Sequence, residues 1–420
     1  MQSKEIKCGN PVENGSTANY NKEARKVSGF PAGAIKMPPS KSISHRAVIC
    51  AALAESPWPI ENLVYSQDIE ATSRCMKLIR QPGALLDCGE SGSTLRFLIP
   101  LAAALTGKAG FTGQGRLLAR PQGPYIEALA IHGISLEYKD DILRLEGSLK
   151  PGLYTLPGHV SSQFISGLLF ALPLLAGESE LVVTSPLQSK AYVDLTIDVM
   201  TYFGVTVWHE NYQRFKIPGK QQYVSRPFTV EGDYSQAAFF LVASALGSHC
   251  ECLGLSPYSK QGDKKVLDIL QASGVDLEWS PQGGVTAKAG ALPYRAQIVD
   301  IAEIPDLVSP LAAFFCFCQG RSRIENGARL RLKESDRLAT VTEELNKLGA
   351  RITIEGDALV IDGVESLDGG RISGRGDHRI AMMGAVAAVK SRQPVYIEDS
   401  GCVAKSYPHF WEDFEKEKRL

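Results

Sequence analysis

YIEALAIHGISLEY (residues 125–138), TIDVMTYFGVTVWH (196–209), VLDILQASGVDLEW (266–279) and TEELNKLGARITIE (342–355) are four versions of one pattern: an apolar-periodic helix, a glycine and a short alternating strand. The glycines, Gly133, Gly204, Gly274 and Gly349, stand 71, 70 and 75 residues apart. A helix commonly ends on a left-handed residue, which glycine adopts without steric cost, so the spacing marks four helix C-termini. A second series interleaves with the first. Polar or acidic loops lead into helices of small and apolar residues near Ser91, Ser161, Asp233, Asp306 and Asp377, at intervals of 70, 72, 73 and 71 residues. A sixth start, at Lys41, stands 50 residues ahead of Ser91. These helices are apolar nearly all round, which predicts burial at the centre of a domain. Their polar N-termini lie where backbone N–H groups and the helix dipole favour anions. Each unit reads as buried helix, strand, amphipathic helix and a hairpin closed by turns such as KDD or EGD. The prediction is an α/β protein of two domains, each of three βαβαββ units around buried helices.

Length agrees, because 420 residues exceed what one hydrophobic core usually organises. With 44% hydrophobic residues the chain can bury sizeable cores, and its longest apolar runs fall well short of a membrane span. The formal charge of −1 excludes a nucleic-acid binder that works by bulk electrostatics. Any anion must be held by local clusters. Nine cysteines, irregularly placed and including the C-x-C pairs Cys250/Cys252 and Cys316/Cys318, read as buried free thiols of a reducing cytosol. Residues 1–27 carry acidic residues and no apolar core of a signal peptide, and are expected to be a polar, mobile leader.

The chemistry-bearing residues gather near the predicted helix starts. Lys41, His45 and Arg46 lie in MPPSKSISHRAV, a cation cluster at a helix start that suits phosphate or carboxylate as well as a capped, solvated end. Arg96 sits inside an apolar helix and calls for a partner, with an internal carboxylate as the plain expectation. Gly92 permits close backbone approach to a ligand, and Arg120 reads as a solvated loop side chain as readily as a ligand contact. Ser161, Ser162 and Gln163 precede a buried helix, where hydroxyls cap first and bind phosphate second. Lys190 and Tyr192 add a charge and a hydroxyl on a loop that surface exposure would equally explain. Residues 321–337 (RSRIENGARLRLKESDR) hold six cations against Glu325, Glu334 and Asp336, a run that is usually a solvated face. Asp306, the Asp377–His378–Arg379 cluster and Lys405 complete the set; His378 alone would more often be a hydrogen-bonded structural residue. No metal-ligand pattern and no cofactor motif is present in the sequence.

Taken in order, SKSISHR, GESGSTLR, ARPQGP, SSQF, SKAY, EGD, IPD, KESDR, GDHR and AKSYP resemble the motifs of the 5-enolpyruvylshikimate-3-phosphate (EPSP) synthase family, from about Ser28 to Phe414. The resemblance implies the enolpyruvyl-transferase fold, an inside-out α/β barrel. Its two domains would be 28–39 plus 231–420, and 40–230. It implies transfer of the enolpyruvyl group of phosphoenolpyruvate to the 5-hydroxyl of shikimate 3-phosphate, with release of phosphate. Carried over by motif, Lys41, Ser42, Arg46, Ser161, Ser162, Gln163, Ser189, Tyr192, Asp306 and Lys333 would hold shikimate 3-phosphate. Lys41, Gly92, Arg120, Gln163, Arg337, His378, Arg379 and Lys405 would hold phosphoenolpyruvate. Asp306 would be the base, with Glu334 and Lys405 or Lys41 as proton-transfer partners. No cofactor, nucleic acid or membrane is implied. The expected form is a cytoplasmic monomer whose domains close on substrate, with glyphosate as a candidate inhibitor.

Three positions depart from the family pattern: Glu90 stands where Asn is usual, Ala191 where Pro is usual, and Arg329 where an Asn often contacts shikimate 3-phosphate. A related transferase that acts on UDP-N-acetylglucosamine commonly has Asn after the lysine and a reactive Cys in a mobile loop. Here Ser42 follows Lys41, and Gly113 to Pro124 contains no Cys. A catalytically dead sensor would have lost Lys41, Asp306, Glu334 or Lys405, and all four are present. An RNA-terminus-processing relative would want a basic groove that the charge balance does not support.

Overall fold

All four repeat glycines take the left-handed backbone, with φ of 74° at Gly133, 86° at Gly204, 101° at Gly274 and 94° at Gly349. Each ends a helix: Gly123–Ala130, Lys190–Tyr202, Val266–Ala272 and Arg337–Lys347. A β-carbon at these positions would strain the turn into the following strand. The computed structural model describes residues 24–56, 58–290 and 293–418.

Four units have one sheet order. In the first, Ala84–Asp87 runs parallel to Lys108–Thr112, which pairs antiparallel with Ile142–Glu146, itself the partner of Ser135–Lys139. Leu153–Leu156 to Arg214–Ile217, Ala32–Lys36 to Val285–Lys288, and Ile298–Asp300 to Ala358–Asp362 repeat it. The KDD turn closes the first hairpin with Asp140 and Asp141 at φ of 53° and 56°, the twist that two-residue hairpins favour. Two units are shorter than predicted. Behind Lys41–Leu53, the two-residue strand Ile60–Glu61 pairs in parallel with Phe228–Thr229, and no hairpin follows before the next unit. This accounts for the 50-residue interval. In the last unit, Gly370–Ser373 and Val395–Glu398 take Arg25–Lys26 as third strand. Arg25–Val27 are therefore not leader: Val27 is buried in the core and Arg25 pairs with Glu415. Residues 1–23 of the expected leader lie outside the described residues.

The buried helices lie where their apolar surfaces require. Every residue of Tyr234–Ala245 is buried, as is every residue of Ser162–Ala171 except Gln163. The apolar interior forms two clusters, one running from Ile43 to Val230, the other joining Val27, Ile35 and Met37 to residues from Tyr234 to Phe414. The chain passes between them twice, side by side: Pro39 bridges Gly232, Ser40 N donates to Glu231 O, and Asp233 N donates to Pro38 O. All eight cysteines among the described residues are buried and free. No helix of the described residues is long and apolar enough to cross a membrane.

Candidate active site

A cavity opens between the two cores, and on one side it is walled by helix first turns. Lys41 and Ser42, Gly92 and Ser93, Ser161 to Gln163, and Ser189 line it from the core that runs from Ile43 to Val230. Ser161 Oγ accepts from Gln163 N at 3.3 Å, so the hydroxyl is a cap and a cavity wall at once. The Gln163 amide is itself committed, donating to Ser93 Oγ at 3.0 Å and accepting from Arg96 at 2.9 Å. Arg96 thus has neutral partners, this amide and Pro121 O at 3.1 Å, where a carboxylate was expected. The helix around it is packed with apolar side chains, and burial, helped by Arg120, drives its pKa down to about 9. Arg46 is held by Thr196 Oγ1, Ser42 O and Tyr192 O, and burial takes it down to about 10.

Arg120 is no solvated loop residue. It is buried, and a Cβ at Gly92 would stand 2.6 Å from its Nη1, so the glycine makes room for a guanidinium over the helix N-terminus. Lys41 Nζ pairs with Asp68 at 2.9 Å, and Lys41 N donates to Asp233 Oδ2 at 2.9 Å. Tyr192, far from being a surface residue, donates its hydroxyl to Asp306 Oδ2 across the cleft at 3.3 Å.

The facing wall is ionic. Arg337 is fully buried and reaches three carboxylates: Asp377 at 2.8 Å, Asp306 at 3.0 Å and Glu334 at 2.8 Å. Arg379 adds a bond to Asp306 Oδ2 at 2.9 Å, and Lys333 Nζ lies 3.6 Å from Oδ1. Burial would raise the Asp306 pKa, but Arg379, Lys333 and Arg337 together hold it well below the usual carboxylate range. Glu334 is likewise held low against burial, by Arg337, Arg120, His378 and Lys333. Burial lowers Lys333 to about 8; the pull of Asp306 and Glu334 opposes this, and Arg337 and Arg329 reinforce it. His378 stays neutral well below the usual range, chiefly through burial and then Lys41 and Arg379. Neither of its ring nitrogens has a hydrogen-bond partner among the described residues, unlike the bonded structural histidine that the sequence suggested. The cavity therefore offers uncompensated cations, two ionised carboxylates, an unpartnered imidazole and a lysine that exchanges protons near neutral pH.

The residues carried over by resemblance line this cavity with Lys405 as the exception, while among the others singled out His45 is buried against Thr72 Oγ1 at 2.7 Å, Lys190 is exposed and Asp377 lies behind the wall. The Lys405 ammonium is turned to Glu90 Oε2 at 2.5 Å and Gly376 O at 2.6 Å. One wall residue, Asp68, and the partners of two residues already singled out, Asp377 and Arg329, escaped sequence reasoning. Asp68 lies 27 positions from Lys41 on another helix, a separation with no local signature. Asp377, which caps its own helix and fixes Arg337, was legible as a cap but not as an arginine anchor. Arg329, set aside as a departure, reaches Ser189 Oγ at 2.9 Å from the opposite wall.

Known proteins share both sequence and shape. The sequence model of the family described as EPSP synthase (3-phosphoshikimate 1-carboxyvinyltransferase) matches residues 29–81 and 73–414. A protein of Clostridium perfringens (strain 13 / Type A) named 3-phosphoshikimate 1-carboxyvinyltransferase is 44% identical over 405 residues, covering 91% of this chain and 95% of its own length. One of the same name from Clostridium beijerinckii is 43% identical over 412 residues, covering 91% and 94%. A solved EPSP synthase from Acinetobacter baumannii superposes with a TM-score of 0.74, at 24% identity, over 92% of this chain and 95% of that one, a likeness of fold.

Proposed function

The chain belongs to the EPSP synthase (3-phosphoshikimate 1-carboxyvinyltransferase) family and transfers the enolpyruvyl group of phosphoenolpyruvate to shikimate 3-phosphate, and from this premise we propose how its cleft does so. The two cores act as domains, 28–39 plus 231–420 and 40–230, hinged at the paired crossings beside Pro39 and Gly232. Shikimate 3-phosphate enters first, its phosphate among Ser161, Ser162, Ser189 and Lys333, with Ser42, Arg46, Gln163 and Tyr192 around the remainder. Phosphoenolpyruvate takes Lys41, Arg120, Arg337, His378 and Arg379, with Gly92 seating Arg120 and Lys405 arriving from the rim. Glyphosate, an anion, is expected to enter the same cations. Closure expels water and strengthens every charge in the cleft.

In the addition step the 5-hydroxyl oxygen bonds to C2 of phosphoenolpyruvate. The hydroxyl loses its proton and the methylene carbon gains one. In elimination the C2–O bond to phosphate breaks and the new methyl group returns a proton, restoring the double bond. Asp306 suits the hydroxyl: ionised and anchored by two arginines, it is a fixed acceptor that orients the nucleophile. An acid so strong is a weak base, so the proton needs a carrier. Lys333, near Asp306 and with a pKa of about 8, is the group best matched to carry it, in preference to Lys41 or Lys405. Glu334, likewise ionised, suits removal of the methyl proton in elimination, and the proton that the methylene gains in addition comes from an ammonium, Lys41 or Lys405. The convergence on Asp306 of Tyr192 from one wall and Lys333, Arg337 and Arg379 from the other is the observation that carries this reading. A monomer suffices, since both walls belong to one chain, and buried free thiols suit a cytoplasmic setting.

Phosphate release from phosphoenolpyruvate tests it, with shikimate 3-phosphate, UDP-N-acetylglucosamine or no acceptor. Release with shikimate 3-phosphate alone is expected. Asp306→Asn should lower kcat by roughly 10²–10⁴-fold while calorimetric shikimate 3-phosphate binding survives. A variant that keeps kcat would remove Asp306 from the chemistry.

A further inference from the structure

Glu90 and Lys405 meet across the cleft, 315 positions apart in sequence and on opposite walls, with Oε2 2.5 Å from Nζ. The contact is well enclosed: the Lys405 side chain is 4% exposed and the Glu90 side chain 20%. Local structure admits it on both sides. Gly115 has φ of 56°, and a Cβ there would lie 2.7 Å from Glu90 Oε2, so the bare backbone leaves space for the carboxylate. On the far side the ammonium also donates to Gly376 O, directly before Asp377, His378 and Arg379. Glu90 in turn lies two positions ahead of Gly92, the seat of Arg120. The pair thus stands one or two residues behind the cavity walls, outside the cavity itself.

We infer that Glu90 is a specificity-determining residue: its carboxylate competes with the incoming anion for Lys405 and so sets the affinity of the phosphoenolpyruvate subsite. This rests on the reading of Lys405 as a cation for that substrate. A buried ammonium is costly without a counter-charge, so in the ligand-free cleft Glu90 supplies one. An arriving carboxylate or phosphate must draw Lys405 away from it, and part of the anion's binding energy is spent on the exchange. The subsite then binds anions less tightly than its cations alone would dictate. Inorganic phosphate, the anion the reaction releases, leaves more readily for the same reason.

Glu90→Gln keeps the amide oxygen as an acceptor and removes the charge. The expected result is a KM for phosphoenolpyruvate and an inhibition constant for inorganic phosphate both lower by about tenfold, with kcat within about threefold and the KM for shikimate 3-phosphate unchanged. An unchanged or higher KM for phosphoenolpyruvate overturns the inference. Lys405→Met separates the two layers, with calorimetric binding of shikimate 3-phosphate as the check that the cleft is intact. In that background Glu90→Gln should give no gain in phosphoenolpyruvate affinity. A gain that persists without the lysine shows a diffuse field effect and removes the pair from the explanation. Should Lys405→Met alone leave phosphoenolpyruvate binding untouched, the subsite reading of Lys405 fails, and the inference built on it fails too.

Discussion

Helices at the same place in the repeat begin with serine on one wall of the cleft and with aspartate on the other. Ser91 and Ser161 accept from the amides of Thr94 and Gln163. Asp233 accepts from Ser235 and Gln236, and Asp377 from Arg379. Both kinds of cap satisfy a stranded N–H, but only the serines leave the positive helix end uncompensated. The arginines follow suit. Arg46 and Arg96 are held by hydroxyl, amide and carbonyl oxygens and are pushed down to about 10 and about 9, first of all by burial. Arg337 has three carboxylates around it and is held above its ordinary range despite burial. One wall thus keeps its positive charge for a ligand, while the other spends it on fixing its own acids. Binding of a dianion belongs naturally to the first and proton chemistry to the second.

The sharpest way to break this contrast is to remove one arginine from each wall. Arg337→Met strands buried carboxylates and should cost about 3–5 kcal/mol of stability, the penalty for breaking a buried pair. Arg96→Met gives up hydrogen bonds to neutral acceptors and should cost about 1–3 kcal/mol. Urea midpoints with unchanged slopes would read the difference. Equal losses, or a greater loss at Arg96, would mean that the walls do not differ in how they hold charge.

Titration sharpens the same contrast, with a smaller effect. Lys333, at about 8, is protonated below that pH and loses its charge above it. As carrier of the 5-hydroxyl proton it must be neutral to accept it, so the rate at saturating substrate should rise about tenfold per pH unit up to about pH 8 and level off above it. No second limb is expected near pH 4, because Asp306 and Glu334 are held well below the usual carboxylate range. Arg46 and Arg96 of the serine wall, at about 10 and about 9, should contribute no limb below pH 8. Arg329 is among the groups that depress Lys333, so Arg329→Asn should move this limb to higher pH. A limb that ignores both Lys333→Arg and Arg329→Asn would place the titrating group elsewhere.

How much of this was legible beforehand follows from where the information lies. The repeat was readable because a glycine that must take a positive φ and a helix that must be apolar all round are local demands, and each leaves a mark at a fixed interval. The two short units were half visible, since the 50-residue interval at Lys41 signals a missing hairpin, but nothing near Arg25 announces that it will complete a sheet with Val395–Glu398. Cavity residues were found where a motif placed them at a helix start. Their partners were not. That Arg96 would settle for an amide, that Gly92 would seat Arg120, and that Lys405 would turn to Glu90 are facts of packing between segments distant in sequence. Sequence shows which charges a cleft has, and only the fold shows which of them are already spoken for.

The smallest expected effect tests the caps themselves. The Ser161 hydroxyl oxygen accepts one backbone N–H over a long 3.3 Å bond, and its own hydrogen remains available to the cavity. Ser161→Ala should therefore cost about 0.5–1 kcal/mol of stability, at the low end for a cap. If that hydrogen serves the phosphate of shikimate 3-phosphate, the KM for this substrate should rise by roughly three- to tenfold, the worth of one net hydrogen bond, while the KM for phosphoenolpyruvate stays put. Asp377→Ala at the equivalent place on the other wall would take one of three carboxylates from Arg337 and an acceptor from Ser335, and should cost more than Ser161→Ala but less than Arg337→Met. A Ser161→Ala variant that weakens phosphoenolpyruvate instead would reverse the assignment of substrates to walls, because the neutral caps would then face the second anion and not the first.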